Sequence, residues 1–344
     1  MKIWQNNLQN DKIAMIQTVA IEKNIDDKAV EKDWWVTVVL KALFRTSCSE
    51  YLSFKGGTSL GKAWNLIHRF SEDVDISISR EFFLKVLNIK CAECKSNTQM
   101  HNLREISRDY IHHCLSQELD RELRRMGVEN FSIENKLYEG TRLIAHDSDP
   151  TVINVKYKSI YKESESYVLP IVKVEISCLS MSEPVECKEI TSLIYNKFPQ
   201  EDDAACSMIK TVTPARTFLE KAFLLNEEFQ RDKPRVMRMS RHLYDLERIM
   251  DTEYAMEALA NMDLYRKIIV HRKKFYHIGY VDYEKNLPGR IAFCPTGELL
   301  ESYRDEYDNN MRKTFIYGEA LAFDELMARL KDLQERFREL GEMG

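Results

Sequence analysis

The segment from Tyr51 to Ser79 constrains the fold more than any other part of this sequence. It begins with a short β-rich run, which Gly56 and Gly57 interrupt. Apolar residues then recur at helical spacing, namely Leu60, Ala63, Trp64 and Ile67. From Asp73 onwards apolar and polar residues alternate, as in a strand with one buried face. The segment therefore predicts a strand, a tight turn, a helix and a second strand.

Two carboxylates on the second predicted strand suggest a metal site. Asp73 and Asp75 are two residues apart, so both side chains project from the same face of the strand. Like charges this close are costly unless a cation neutralises them, and Mg²⁺ prefers carboxylate oxygens. The same pattern is also typical of a solvated edge strand. From these residues alone, metal ligands and surface carboxylates are both open interpretations.

The turn before the predicted helix indicates a second chemical role. Glycines between a strand and a helix let the backbone approach a ligand, and free N–H groups at a helix start attract phosphate. Thr58 and Ser59 follow Gly56 and Gly57 and add hydroxyl donors, although Ser59 also suits a helix cap. The turn by itself is also compatible with a structural role. A phosphate-binding turn just before paired carboxylates is more specific than either motif alone.

Outside this segment, the pattern predicts further helices and strands. Apolar spacing predicts a helix from Asp26 to Phe44, and alternation predicts strands at Val152–Ile160 and Tyr167–Ser177. From Pro214 onwards the pattern is almost all helix, with Pro214 suited to a first helical turn. These elements predict an α+β protein with a helical C-terminal part.

The change of pattern near residue 205 predicts a domain boundary. We expect residues 1–205 to form a mixed domain and residues 206–344 a helical domain. The residues from about 80 to 147 are rich in charges and helix formers, so we expect a helical insertion there in the first domain.

Composition excludes two classes of protein. The 344 residues include 50 basic and 55 acidic side chains, a formal charge of −5, so a strongly basic nucleic-acid coat is excluded, although a local basic patch is not. No stretch approaches the ~20 consecutive apolar residues of a membrane span. The N-terminus carries charges from Lys2 and lacks the apolar core of a secretory signal. We expect a cytoplasmic protein.

Several motifs resemble one family. FKGGTSL and RFSEDVDISI resemble the Gly-Gly-Ser/Thr and Asp-x-Asp motifs of the DNA polymerase beta-type nucleotidyltransferase superfamily. Within this superfamily, the two sequences are similar to the motifs of the AbiEii/AbiGii abortive-infection nucleotidyltransferase toxin family. Further segments resemble that family over most of the chain, namely AVEKDWWV at Ala29–Val36, PARTFLEKAFLL at Pro214–Leu225 and SRHLYDLERI at Ser240–Ile249. The resemblance implies a polymerase beta-type domain, with a mixed sheet flanked by helices, followed by a helical domain.

The resemblance also implies a role for each residue of the turn and strand motifs. Asp73 and Asp75 would bind two Mg²⁺ ions. Glu175 in IVKVEIS is the best match to the third carboxylate of the superfamily, as a metal ligand or as a base for the acceptor hydroxyl, but a solvent-facing strand fits its pattern equally well. The triphosphate of an NTP would be held by the residues of the turn, Gly56, Gly57, Thr58 and Ser59.

Two residues of the C-terminal part match the remaining family motifs. Lys221 would contact the triphosphate and neutralise charge on the leaving pyrophosphate, and Asp245 matches the last acidic motif residue. The ordinary interpretation of Lys221 is a lysine at the border of an apolar stripe. For Asp245 it is a surface salt bridge with Arg241, four residues earlier.

The implied reaction is transfer of a nucleoside monophosphate from an NTP to an acceptor hydroxyl, with release of pyrophosphate. The resemblance suggests RNA as the acceptor, at the 3′ end of tRNA, and a toxin role countered by a cognate antitoxin. Two alternatives stay open. The chain would modify a protein Ser, Thr or Tyr, or it would be a non-catalytic binding module of the same fold.

Two basic clusters give modest support for RNA, because they would follow a phosphate backbone. Four aromatic residues after the second cluster would stack on bases, although their spacing is more typical of core residues. The basic residues are Arg231, Lys233, Arg235, Arg238 and Arg241, and then Arg266, Lys267, Arg272, Lys273 and Lys274. The aromatic residues are Phe275, Tyr276, Tyr280 and Tyr283.

Overall fold

The computed structural model describes residues 2–71, 73–161 and 168–341. The chain folds as two compact units. The first comprises Met1–Ala63 and Ser71–Val212, and the second comprises Trp64–Phe70 and Thr213–Gly344. Tyr167, where a strand was predicted to begin, lies outside the described residues.

The first unit combines helices with a mixed sheet. In chain order, its helices are α1 (Gln9–Lys23), α2 (Asp27–Leu43), α3 (Gly56–Lys62), α4 (Asn97–Tyr110), α5 (Ser116–Arg125) and α6 (Leu193–Lys197). Its strands are β1 (Leu52–Lys55), β2 (Asp73–Ile78), β3 (Phe131–Asn135), β4 (Tyr138–Glu139), β5 (Arg142–Leu143), β6 (Thr151–Tyr157), β7 (Ile171–Ser177), β8 (Val185–Thr191) and β9 (Cys206–Val212).

Strand β2, which carries the paired aspartates, lies at the centre of the sheet. Among the described residues, seven strands pair in the order β3-β6-β7-β2-β1-β9-β8, while β4 and β5 form a separate hairpin. Strand β2 runs parallel to β7 and antiparallel to β1, and β1 runs parallel to β9. The predicted α+β class, with a mixed sheet flanked by helices, is confirmed. The interpretation of the strand that begins at Asp73 as an edge strand is wrong, because β2 pairs with β1 on one side and with β7 on the other.

Helix α2 packs into the core of the first unit, as its apolar spacing predicts. Asp26 caps its start by accepting a hydrogen bond from the backbone N–H of Lys28 at 2.8 Å. Trp34 and Trp35 are almost fully buried, and their rings meet at 5.1 Å. The Trp34 indole N–H also donates to Asp202 at 2.5 Å, so it keeps a hydrogen bond in the core.

The charged residues of AVEKDWWV attach α2 to its surroundings. Glu31 is buried and accepts hydrogen bonds from the Ser159 hydroxyl and the Ile160 N–H, at 2.6 and 2.9 Å. Lys32 donates to the carbonyl of Leu169 at 3.1 Å. Both residues hold the ends of the β6–β7 connection, which gives this motif a structural role in the first unit.

Three elements differ from the sequence predictions. The helix expected to reach Ile67 ends at Lys62, because Asn65 has a left-handed backbone (φ 52°) and residues 64–70 belong to the second unit. Strand β6 ends at Tyr157, three residues before the predicted Ile160. The segment expected to be helical to about residue 147 is helical only to Arg125 and then forms β3, β4 and β5. The alternation of Phe131 and Ile133 with polar neighbours suits a strand.

The second unit is helical, as predicted. Its α-helices are α7 (Pro214–Glu228), α8 (Ser240–Ile249), α9 (Glu253–Ala260), α10 (Met262–Phe275), α11 (Gly297–Glu306) and α12 (Phe323–Glu339). Strand β9, which follows residue 205, pairs with β1 and β8 and is part of the first unit. Whether residues 1–205 and 206–344 behave as separate domains stays a prediction. Within the described ranges, no helix combines the length and apolar character needed to cross a membrane.

Candidate functional site

In the first unit, the Gly-Gly turn packs against the paired aspartates. Strands β1 and β2 pair antiparallel with Lys55 opposite Asp75, and the chain enters α3 directly at Gly56. Gly56 has a left-handed backbone (φ +79°), and a Cβ at this position would lie 2.9 Å from the Cβ of Asp75 and overlap its carboxylate. Only glycine fits there without displacing Asp75. The two motifs are therefore neighbours in space.

The hydroxyls of Thr58 and Ser59 bond within this turn and to the start of β2. The Thr58 hydroxyl donates to the carbonyl of Asp73 and lies 2.9 Å from the Ser71 hydroxyl. The Ser59 hydroxyl donates to the carbonyl of Gly56 at 2.9 Å. Both side chains are buried. These bonds position the turn and Asp73, and contact of the two hydroxyls with a triphosphate stays a prediction.

The run from Gly56 to Lys62 also spells the Gly-x-x-x-x-Gly-Lys part of a phosphate-binding Walker loop, but Ala63 replaces its final Ser or Thr. The ammonium of Lys62 forms an ion pair with Asp33 of α2, at the C-terminal end of α3. Asp33 also accepts a hydrogen bond from the N–H of Leu193 at 2.7 Å. Lys62 thus fastens α3 to α2, and the Walker interpretation does not apply.

The aspartates share their face of the sheet with Glu175 and a lysine. Strands β2 and β7 run parallel with Asp73 beside Lys173 and Asp75 beside Glu175. Lys173 and Glu175 form an ion pair, with side chains 34% and 23% exposed. Burial lowers the pKa of Lys173, but the hydrogen bond and charge of Glu175, with the charges of Asp73 and Asp75, outweigh burial and raise it. The ammonium therefore lies in the field of three carboxylates.

Two carboxylates on this face fit a divalent cation. Asp73 and Asp75 are half-buried on the same face of β2, and their oxygens are donors that Mg²⁺ prefers. In the part of the chain that the structure describes, no group of three or more His, Cys, Asp or Glu side chains is arranged to hold a metal. Glu175 is the neighbour of Asp75, but its carboxylate is paired with Lys173.

In the second unit, Lys221 and Asp245 are brought together by α7 and α8. The ammonium of Lys221 lies 2.7 Å from Oδ2 of Asp245. Arg69 binds the same carboxylate with two nitrogens, Nε to Oδ1 at 2.7 Å and Nη2 to Oδ2 at 2.8 Å. Asp245 is 0% exposed, Arg69 6% and Lys221 7%. The interpretation of Asp245 as a surface helix residue is wrong, because the carboxylate is inaccessible.

This buried cluster carries more positive than negative charge. Burial raises the pKa of Asp245, but the charges of Arg69 and Lys221 outweigh burial and hold it well below its ordinary value. Burial, together with the charge of Arg69, lowers the pKa of Lys221 despite the attraction of Asp245. His242, 3.4 Å from the Lys221 ammonium, has a pKa well below its ordinary value because of burial and the charges of Lys221 and Arg241. Two cations therefore share one carboxylate beside a neutral imidazole.

The two basic clusters predicted to contact the RNA backbone are partly neutralised by ion pairs with glutamates. Arg272 is buried and binds Glu227, with Nε at 2.7 Å from Oε1. Arg231 and Arg235 both bind the buried Glu228. Lys273 pairs with Glu284 at 3.2 Å. Of the four aromatic residues, Phe275 and Tyr283 are buried. The exposed basic side chains of the two clusters include Lys233, Arg266, Lys267 and Lys274.

Sequence reasoning missed the roles of Arg69 and Lys173. Arg69 is the first residue of the RFSED wording, so the motif itself was a signal, but its partner Asp245 is 176 residues away. Lys173 precedes Glu175 by two residues, so the two share one face of β7. The predicted site residues Gly56, Gly57, Thr58, Ser59, Asp73, Asp75 and Glu175 lie in the first unit, and Lys221 and Asp245 lie in the second.

Comparison with known proteins gives one family match over most of the chain. The model of a family described as the nucleotidyl transferase AbiEii toxin of the type IV toxin–antitoxin system matches residues 38–329. No curated protein matches significantly. Among solved structures, the chain is similar to MenT4, a nucleotidyltransferase toxin from Mycobacterium tuberculosis H37Rv. That match has 17% identity and a TM-score of 0.48, and it covers 95% of this chain and 89% of the other.

Proposed function

We propose, for a chain that belongs to the AbiEii family of nucleotidyltransferase toxins, that the reaction is transfer of a nucleoside monophosphate from an NTP to an RNA hydroxyl, at the 3′ end of tRNA. Family membership makes the chain a nucleotidyltransferase toxin of a type IV toxin–antitoxin system. The substrate, the acceptor and the metal dependence are the proposed parts.

The observation that carries the proposal is the packing of Gly56 against Asp75. A Cβ on Gly56 would overlap the Asp75 carboxylate, so the turn and the paired aspartates form one surface in the first unit. The turn would bind phosphate through backbone N–H groups, while Asp73 and Asp75 would hold the divalent cation. A glycine turn without neighbouring carboxylates would support phosphate binding alone.

Asp73 and Asp75 are the proposed ligands of Mg²⁺. A bound divalent cation would supply positive charge to the reacting phosphate and its leaving group. The chain positions its two carboxylates through strand β2, whose start is held by the Thr58 hydroxyl at the Asp73 carbonyl. Binding of two ions, with Glu175 as the third carboxylate or as the base, stays a prediction from the family resemblance.

Lys221 is the proposed cation for the triphosphate. Its ammonium is held by Asp245 at 2.7 Å, and Arg69 binds the same carboxylate. The excess of positive over negative charge in this buried cluster favours an anionic partner. We assign Lys221 the phosphate contact and Asp245 the positioning of that ammonium.

RNA is the proposed acceptor, and the antitoxin is the second proposed partner. Three exposed basic residues of the second cluster, Arg266, Lys267 and Lys274, support phosphate-backbone contact. The family description, a type IV toxin–antitoxin system, supports the existence of a cognate antitoxin. We also propose a cytoplasmic location, since the proposed substrates, RNA and NTPs, are found in the cytoplasm.

The test incubates the protein with Mg²⁺, total RNA, total protein and each of four α-labelled NTPs. We expect label from at least one NTP in the RNA fraction. Asp75→Asn removes one charge at nearly constant volume and should abolish labelling. Glu134→Gln removes an exposed carboxylate from β3 of the same sheet and should leave labelling unchanged.

The outcomes separate the candidate functions. Label in the protein fraction instead of the RNA fraction would support modification of a protein Ser, Thr or Tyr. Equal labelling by Asp75→Asn and the unchanged chain would refute the assigned site. No incorporation with any NTP would favour the non-catalytic binding module.

A further inference from the structure

Lys173 lies on the face of the sheet that carries Asp73, Asp75 and Glu175, and the proposed reaction gives it no role. It lies beside Asp73 in the parallel pairing of β2 and β7, and it forms an ion pair with Glu175 on its own strand. Lys55, opposite Asp75 on β1, is a second lysine on this face. The face therefore carries two ammonium groups among three carboxylates.

The ion pair changes what Glu175 offers to a metal. A carboxylate that binds an ammonium must lose that partner before it can bind Mg²⁺ with the same oxygens. Among the residues that the structure describes, no three His, Cys, Asp or Glu side chains are arranged to hold a metal. Mg²⁺ is commonly held by one or two carboxylates together with phosphate oxygens of the substrate.

We propose that Lys173 takes the place of one cation on this face by neutralising Glu175, so that the protein without nucleotide binds a single divalent cation through Asp73 and Asp75. The inference rests on the proposed function, which assigns cation binding to these two aspartates. A second ion then depends on oxygens that the nucleotide brings.

Charge balance gives this inference a sharp consequence. If Lys173 and Glu175 act as a neutral unit, removing both charges leaves the net charge of the face unchanged, and divalent-cation affinity should be retained. Removing Lys173 alone adds one uncompensated negative charge and should strengthen binding. Removing Glu175 alone adds one uncompensated positive charge and should weaken it. If Glu175 is instead a metal ligand, affinity should fall whenever Glu175 is removed.

The experiment titrates the full chain with Mn²⁺ in the absence of nucleotide and measures free Mn²⁺ by electron paramagnetic resonance. We expect one bound Mn²⁺ per chain. Because one charge a few ångströms from a divalent ion changes its binding strongly, we expect at least about tenfold tighter binding for Lys173→Gln and at least about tenfold weaker binding for Glu175→Gln. The double variant should bind within about threefold of the unchanged chain, since its charge balance is the same.

Two results would overturn the inference. One is two Mn²⁺ ions on the unchanged chain. The other is a double variant that binds as weakly as Glu175→Gln, since this would make Glu175 a ligand. If circular dichroism shows that Lys173→Gln does not fold, the comparison of Glu175→Gln with the double variant still decides whether Glu175 is a metal ligand.

Asp75→Asn separates this inference from the function on which it rests. If Asp75→Asn retains the Mn²⁺ affinity of the unchanged chain, the assignment of the cation to Asp73 and Asp75 fails, and the role of Lys173 fails with it. If Asp75→Asn abolishes binding and the four Lys173 and Glu175 forms bind alike, the site stands and only the role of Lys173 is refuted.

Discussion

The guanidinium of Arg69 holds both carboxylate oxygens of Asp245, at 2.7 and 2.8 Å, in an environment where the aspartate is fully buried. Bidentate pairing of this kind is strong and directional. It fixes Asp245 while leaving Oδ2 shared with the Lys221 ammonium. Arg69 is thus a positioning residue for two side chains that match family motifs.

Removal of the Arg69 charge should strongly destabilise the second unit. In Arg69→Met, the Asp245 carboxylate loses one of its two cationic partners while staying buried. The variant loses the two hydrogen bonds from the guanidinium to Asp245, while the Lys221 ammonium still pairs with the carboxylate. Hydrogen bonds to charged groups contribute about 1.5–3 kcal/mol each, so we expect a loss of about 3 kcal/mol in the free energy of unfolding. Urea denaturation of the full chain measures it.

Lys85→Met is the matched control for Arg69→Met. Lys85 pairs with Glu81 at 2.9 Å, but both side chains are 59% exposed. An exposed pair contributes about 0–1 kcal/mol, so this variant should unfold nearly as the unchanged chain does. Equal losses for the two variants would contradict the role assigned to Arg69.

The buried imidazole of His242 should make stability depend on pH near neutrality. Its folded pKa lies well below the ordinary value of 6.5, through burial and the charges of Lys221 and Arg241. Below pH 6.5 the unfolded chain therefore binds a proton that the folded chain does not, so stability falls as pH falls. One such proton amounts to about 1.4 kcal/mol per pH unit, or about 2 kcal/mol between pH 6.5 and 5.

A His242→Gln variant should lose this part of the pH dependence. Urea denaturation at several pH values between 7 and 5 measures the slope, and the comparison concerns the slope rather than the absolute stability. His113 is exposed, so His113→Gln should retain the slope of the unchanged chain. A His242→Gln variant with an unchanged slope would show that His242 is protonated in the folded protein.

Gly56→Ala should disable the turn beside Asp75. Both the left-handed backbone of Gly56 and the overlap of a new Cβ with the Asp75 carboxylate oppose the substitution. Displacement of a reacting group by about 1 Å can reduce a rate by about a hundredfold, and we expect a loss of nucleotide transfer of that order. Gly140→Ala provides the control, since Gly140 is also left-handed (φ +57°) but has no atoms within 4 Å of the new Cβ.

The two glycine variants share one cost and differ in another. An alanine in the left-handed region costs about 1–2 kcal/mol in either variant, so both should lose some stability. Only Gly56→Ala should lose transfer of label and binding of Mn²⁺. If Gly140→Ala loses both to the same extent, backbone strain rather than contact with Asp75 explains the effect.

Local pattern was sufficient to predict the central part of the first unit. Alternation identified β2, and the glycine pair identified the turn, because strand faces and left-handed turns depend on neighbouring residues. The same spacing rule extended α3 to Ile67, where it was wrong. Trp64 and Ile67 are apolar because they are buried in the second unit, not because a helix continues.

Partners distant in the chain could not be predicted in the same way. The pairing of Arg69 with Asp245 spans 176 residues, and no local rule selects it over Arg241. The position of Lys173 beside Asp73 requires the parallel register of β2 and β7, which the alternation of each strand does not specify. The two basic clusters overstated the positive charge of the surface for a related reason. Buried acids that are distant in the chain, such as Glu227, neutralise some of the basic residues.

The second basic cluster retains exposed cations on α10. These residues make the RNA proposal testable by the salt dependence of RNA binding. Arg266, Lys267 and Lys274 are exposed, whereas Arg272 is buried against Glu227. Each phosphate contact to a single-stranded nucleic acid contributes about −0.7 to the slope of log affinity against log salt concentration. Three contacts would therefore contribute about −2.

Neutralising these three cations should weaken RNA binding and flatten its salt dependence by about two units of slope. The measurement is fluorescence anisotropy of labelled tRNA at several salt concentrations. A control that removes the same net charge from the first unit separates a local contact from a general electrostatic effect, since long-range attraction depends on net charge. If control and test variants flatten the slope equally, α10 is not the RNA surface. The test variant is Arg266→Gln, Lys267→Gln and Lys274→Gln, and the control is Lys85→Gln, Lys90→Gln and Lys95→Gln, at residues that are also exposed.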